Sequence, residues 1–142
     1  ELSMRDGKLC QQPVHEIERM RGDCVCATGG ETVEEPGRLF DLVVSCEGAQ
    51  VIELEIRKGV FVRYADGMLT LDMGDEGYGR DQRSIELSEL RDLRVLSDTT
   101  MVEIFANGGE AALTSRTYSP AVPAMGLHAE GAASMDFYRL AH

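Results

Sequence analysis

The chain has 142 residues, enough for one domain and too few for two; 43% are hydrophobic and 27% charged, an ordinary globular mixture. Its 25 acidic and 14 basic residues leave a formal net charge of -11. A surface this acidic repels phosphate backbones and anionic lipid, so nucleic acid and membrane are excluded as favoured partners. No apolar run approaches the ~20 residues that span a bilayer.

The first element is a hairpin, Leu2-Ser3-Met4 against Lys8-Leu9-Cys10-Gln11, joined by Asp6-Gly7. The start has no signal-peptide pattern and no initiator Met, so the chain reads as a piece of a longer protein and the missing signal says little about the parent; the expectation of a cytoplasmic location rests on the reading of its cysteines as reduced thiols. Pro13 and Val14 to Arg21 predict one short helix, with acidic residues first, basic residues last and Gly22 to end it. Thr28 to Gly37 reads as a loop.

From Phe40 the period is two. Phe40, Leu42, Val44 and Cys46 share one face. Ile52, Leu54 and Ile56 share another, with Glu53, Glu55 and Arg57 opposite. Val60, Val62 and Tyr64 lead through Asp66-Gly67 to Leu69, Leu71 and Met73. Gly74 to Asp81 reads as a second loop. Asn107-Gly108 joins Val102-Glu103-Ile104 to Ala111-Ala112-Leu113. Both dipeptides favour the type I′ turn, with φ above zero at both residues. A two-residue loop would pair Ala106 with Gly109, Ile104 with Ala111 and Val102 with Leu113. Short alternating strands with close turns predict an all-β, antiparallel sandwich or barrel.

Candidate chemistry is sparse. His15-Glu16 begins like a zinc-protease motif, but Arg19 stands where the second His must be. His128 and His142 are scattered. Ser115 and Ser119 have no evident base, and no G-x-S-x-G is present. Gly74, Gly77 and Gly79 lack the lysine and helix start of a phosphate loop. Glu53 and Glu55 fit a solvated strand face better than a glycosidase pair, and Asp75 and Glu76 sit in the glycine-rich loop. Tyr64, Tyr78, Tyr118 and Tyr138 are core or hairpin residues by default rather than a sugar platform. Cys10, Cys24, Cys26 and Cys46 have no metal-site spacing and read as four reduced thiols. No catalytic, cofactor-binding or metal residue is therefore expected, and no cofactor.

Two segments carry a resemblance. Asp98-Thr99-Thr100-Met101-Val102-Glu103-Ile104-Phe105-Ala106-Asn107-Gly108-Gly109-Glu110, running on to Leu113-Thr114-Ser115-Arg116-Thr117-Tyr118, resembles the D-x-S-S-V-E-V/I-F-V-N-x-G-E…T-S-R-x-Y/F-P hairpin of glycoside hydrolase family 32. The start, Glu1-Leu2-Ser3-Met4-Arg5-Asp6-Gly7-Lys8-Leu9 and Gln11-Gln12-Pro13-Val14, is similar to the junction at which that family's chain leaves its catalytic propeller. Leu69-Thr70-Leu71-Asp72 and Gly79-Arg80 look like a third family segment between them. Met101, Met73 and Ala106 depart from the pattern locally.

The resemblance implies a two-sheet, lectin-like jelly-roll sandwich over residues 1–142, with the five-bladed catalytic propeller absent. The family's nucleophile motif W-M-N-D-P-N-G, its R-D-P and its Glu-Cys pair do not occur in the chain. The implied parent is a β-fructofuranosidase or sucrose-6-phosphate hydrolase, an invertase-like enzyme of carbohydrate metabolism. The chain alone is expected to be inactive and to stabilise the propeller of the same polypeptide through the Leu2 to Met20 region. The alternatives are a module that binds fructan or a sucrose-like carbohydrate, and a homo-oligomerisation module.

Overall fold

The computed structural model of the chain describes residues 2–5, 8–11, 15–28, 32–34, 39–46, 50–57, 59–73, 82–98, 101–116, 126–127, 129–131 and 134–140. A hairpin of β1 (Leu2–Arg5) and β2 (Lys8–Gln11) comes first, then a 3-10 turn over His15–Met20. Next are β3 (Arg21–Thr28), β4 (Val33–Glu34), β5 (Phe40–Ser45) and β6 (Ile52–Arg57). β7 (Val60–Ala65), β8 (Met68–Asp72), β9 (Gln82–Glu86) and β10 (Asp92–Ser97) follow. The last are β11 (Met101–Ala106), β12 (Ala111–Arg116), β13 (Gly126–Leu127), β14 (Ala129–Glu130) and β15 (Ser134–Leu140).

The strands form two main antiparallel sheets. One has six strands in the order β12-β11-β10-β5-β15-β3, and the other has five in the order β14-β6-β7-β8-β9. The pairs β1-β2 and β13-β4 stand apart from them. Because side chains alternate across a strand, each sheet has one apolar face, and the two faces close on each other as an all-β sandwich. Phe40, Leu42 and Val44 of β5 enter the shared core with Val95, Ile104 and Phe137. Ile52, Leu54, Val62, Leu69 and Leu71 meet them from the smaller sheet. The rings of Phe40 and Phe137 tilt together at 5.5 Å between centroids. Burying a side chain of this size contributes roughly 1.5–3 kcal/mol, so these rows hold the domain together. Arg83 interrupts them: it lies opposite Leu71 in the ladder, and its buried Nε has no partner among the described residues.

Three local expectations change. The expected helix is a six-residue 3-10 turn, and Gly22 does not end it but lies inside β3. Six residues cannot repay the cost of nucleating an α-helix. From Arg21 the backbone instead pairs with β15, through Leu140↔Arg21 and Tyr138↔Cys24. The stretch read as a loop from Thr28 to Gly37 contains β4, whose Val33 is buried and pairs with Leu127.

The third change is the register at Asn107-Gly108. Asn107 and Gly108 do have positive φ, 53° and 68°, but Gly109 joins them at 100°. The connection therefore spans Asn107 to Glu110, and the pairs are Ala106↔Ala111, Ile104↔Leu113 and Val102↔Ser115. A shift of two residues keeps the same face inward, so the core is unaffected. The Gly74 to Asp81 loop lies outside the described residues, as do Tyr78, Tyr118, Ser119, His128 and His142.

Candidate functional site

The face of the six-stranded sheet turned away from the core holds the most organised polar group among the described residues. Inward Phe40 and Leu42 force Asp41 outward, yet Asp41 is fully buried. Arg94 of β10 forks onto it, Nε donating to Oδ1 at 3.0 Å and Nη2 to Oδ2 at 2.8 Å. Arg21, at the start of β3, donates from Nε to Oδ2 at 2.7 Å. The Arg21 guanidinium also lies over the Tyr138 ring, 4.2 Å from its centroid. Glu18 of the 3-10 turn approaches Arg94 at 3.6 Å. Two acids and two arginines thus balance, and paired donors satisfy the charge that burial would otherwise make costly.

This network fastens the N-terminal segment to the sheet. Beside it opens a groove of about 230 Å³ whose apolar lining comes from Ile17, Met20, Leu39, Leu96, Met101 and Leu140. Ser97, Asp98 and Glu103 add its polar edge. Phe105 also points outward, yet it is buried and stands outside the inter-sheet cluster. β2 lies against β12 and the Asn107–Gly109 turn, at the other end of β11 from the groove. On the same hairpin, Leu2 and Met4 are 66% and 68% exposed. They are two residues apart on one strand and so present a paired apolar face to solvent.

The residues singled out by chemistry do not converge. Glu53 pairs with Arg63 at 3.1 Å, and Glu55 accepts the Gly59 amide at 3.2 Å. Both carboxylates are tied into strand and turn structure on the open face of the smaller sheet. Ser115 is buried in β12 opposite Val102. Tyr64 is buried, with its hydroxyl donating to the Leu87 carbonyl at 2.7 Å, and the Tyr138 ring is covered by Arg21. Tyr64 thus offers no open ring face to a sugar, and Arg21 occupies one face of Tyr138. Asp75 and Glu76 lie outside the described residues.

The side chains described among the cysteines are those of Cys24, Cys26 and Cys46, and all three are free, while the Cys10 thiol lies outside the described side chains. Burial, with the nearby charge of Asp92, pushes the Cys46 thiol up to about 12. Cys24 and Cys26 are exposed, and their sulfurs lie 3.2 Å apart. Hydrogen bonds to Cys24 and Asp136 push the Cys26 thiol up to about 11.

Residue patterns missed the Asp41 centre. Its only trace in the sequence is one acid inside the apolar run Phe40-Asp41-Leu42-Val43-Val44.

Residues 58–140, more than half of the chain, match the family described as glycosyl hydrolases family 32 C terminal. The chain is 36% identical to raffinose invertase of Escherichia coli, over 85% of its own length and 28% of the relative's. It is 31% identical to sucrose-6-phosphate hydrolase of Salmonella typhimurium, over 85% of its own length and 25% of the relative's. Among solved structures, sucrose-6-phosphate hydrolase from Lactobacillus gasseri superimposes with a TM-score of 0.81 at 20% identity, covering 99% of this chain and 32% of that one. Exo-inulinase from Aspergillus awamori gives a TM-score of 0.69 at 21% identity, covering 99% and 34%. The chain thus spans only about a quarter to a third of the length of the proteins it resembles. It belongs to glycoside hydrolase family 32, as the C-terminal sandwich domain of that family.

Proposed function

We propose that this chain is the non-catalytic domain of a β-fructofuranosidase-type hydrolase and supports a catalytic domain of the same polypeptide by packing against it. The names of two relatives, a raffinose invertase and a sucrose-6-phosphate hydrolase, support sucrose or its 6-phosphate as the substrate of that whole enzyme. Retaining glycosidases hold two carboxyl groups about 5 Å apart around one bond. The carboxylates described above serve instead as ion-pair and turn partners.

One observation carries the packing role. The 3-10 turn and β3 are fixed to the sheet through Glu18, Arg21, Asp41 and Arg94, and the hairpin that precedes them presents Leu2 and Met4 to solvent. Exposed apolar residues paired on one strand suit an interface between domains. In the full-length enzyme, Leu2→Asp with Met4→Asp is expected to shorten the half-life of activity on heating while leaving KM for sucrose unchanged. A half-life equal to that of the unaltered enzyme would contradict this reading.

A further inference from the structure

On the same outer face as the Asp41 network, three metal-ligating groups meet at the edge strand of the six-stranded sheet. Cys24 and Cys26 are two residues apart on β3, so both sulfurs leave the same side of the strand. β15 is the neighbouring strand, and its register sets Asp136 directly opposite Cys26 and Tyr138 opposite Cys24. One ligand atom from each of Cys24, Cys26 and Asp136 lies within 4.8 Å of the others. The sequence spacing shows only C-x-C, too little for a metal site; the strand pairing brings in the carboxylate from 110 positions further along the chain.

We propose that Cys24, Cys26 and Asp136 form a surface site for one thiophilic divalent cation of the zinc class, with a fourth position open to water or an exogenous ligand. Two thiolates and a carboxylate are a donor set that zinc accepts, with Zn–S near 2.3 Å and Zn–O near 2.0–2.2 Å. Around a tetrahedral ion of that size two sulfurs stand roughly 3.8 Å apart. The 3.2 Å sulfur separation reaches this through a small side-chain rotation, with no movement of the ladder. Both cysteines are exposed, so an ion can reach them without unfolding. The three groups repel one another when ionised, and this repulsion contributes to holding the Cys26 proton. A bound dication replaces that repulsion with attraction, and binding releases the thiol protons to solvent. Arg21, the nearest cation described in this part of the face, is engaged with Asp41.

The test is a titration of the reduced chain with Co²⁺, under a phosphine reductant and without oxygen. The expected result is a sulfur-to-cobalt charge-transfer band that saturates at one equivalent and is bleached by Zn²⁺. Cys24→Ser and Cys26→Ser should each remove the band. Asp136→Asn should weaken binding by about tenfold or more, since even indirect metal partners are worth that much. Cys46→Ala should leave binding intact. A second measurement needs no variant: one equivalent of Zn²⁺ should slow alkylation of Cys24 and Cys26 in the unaltered chain. The proposal is overturned by the absence of a band at one equivalent or by a band that survives both serine substitutions. Unchanged affinity in Asp136→Asn, or alkylation indifferent to zinc, would overturn it equally.

Discussion

Asp41 is the residue on which the outer face turns. A buried carboxylate is tolerated here because three charge-assisted hydrogen bonds, two from Arg94 and one from Arg21, occupy its oxygens. Removing one partner of a buried ion pair leaves the others uncompensated, which typically costs about 3–5 kcal/mol. Asp41→Ala should lose stability of that order in urea denaturation; a loss below ~1 kcal/mol would mean the network is ornamental. Cys46 makes a second prediction at this scale. Its thiol is held at about 12 in the fold against an ordinary 9.0. The unfolded chain therefore ionises first as pH rises, so this contribution is intact below pH 9 and is lost between 9 and about 12. Between roughly pH 8 and roughly pH 10.5 the unaltered chain should lose about 2 kcal/mol more than Cys46→Ala. Parallel pH profiles would contradict the assignment.

At the scale of elements, the turn after β11 shows how far local pattern reaches. Asn107 takes positive φ because its side chain is engaged elsewhere: Oδ1 accepts from the Arg91 amide at 2.7 Å and Nδ2 donates to the Glu89 carbonyl at 2.9 Å. The Gly108 amide donates to Asp92 at 3.0 Å. Asn107→Ala should cost about 2 kcal/mol or more, because buried backbone groups lose partners and a Cβ-bearing residue without a polar tip resists this region. Asn107→Gly should cost less, since it keeps the backbone freedom; equal losses would point to hydrogen bonds alone. The Asn-Gly dipeptide made the turn and its dihedrals legible, whereas its length was set by residues 89–92, which pattern reading does not connect to it. The same division runs through the fold. Period-two faces such as Phe40-Leu42-Val44 and Ile52-Leu54-Ile56 announced the core, and Asp66-Gly67 announced its hairpin with both φ angles positive. β3 was hidden because helix-ending signals at Arg21 and Gly22 lost to pairing with β15. The Asp41 centre was hidden for a related reason: its partners come from positions 20 and 53 residues away.

For the whole molecule, sequence family and sandwich agree. Alternating strands make a two-sheet core that needs no staple, while the N-terminal hairpin, the 3-10 turn and the Asp41 network shape the outer face on which we propose a neighbouring domain packs. Several of the described carboxylates are engaged in that architecture: Asp41 by two arginines, Glu53 and Asp72 by Arg63, Glu55 by a turn amide. The central claim is that this domain supports hydrolysis without performing it. The most direct test is fructose release by the purified chain at high concentration from sucrose, sucrose 6-phosphate or inulin. No release above the buffer blank is expected; release that disappears when an acid within residues 1–142 is substituted would contradict the account.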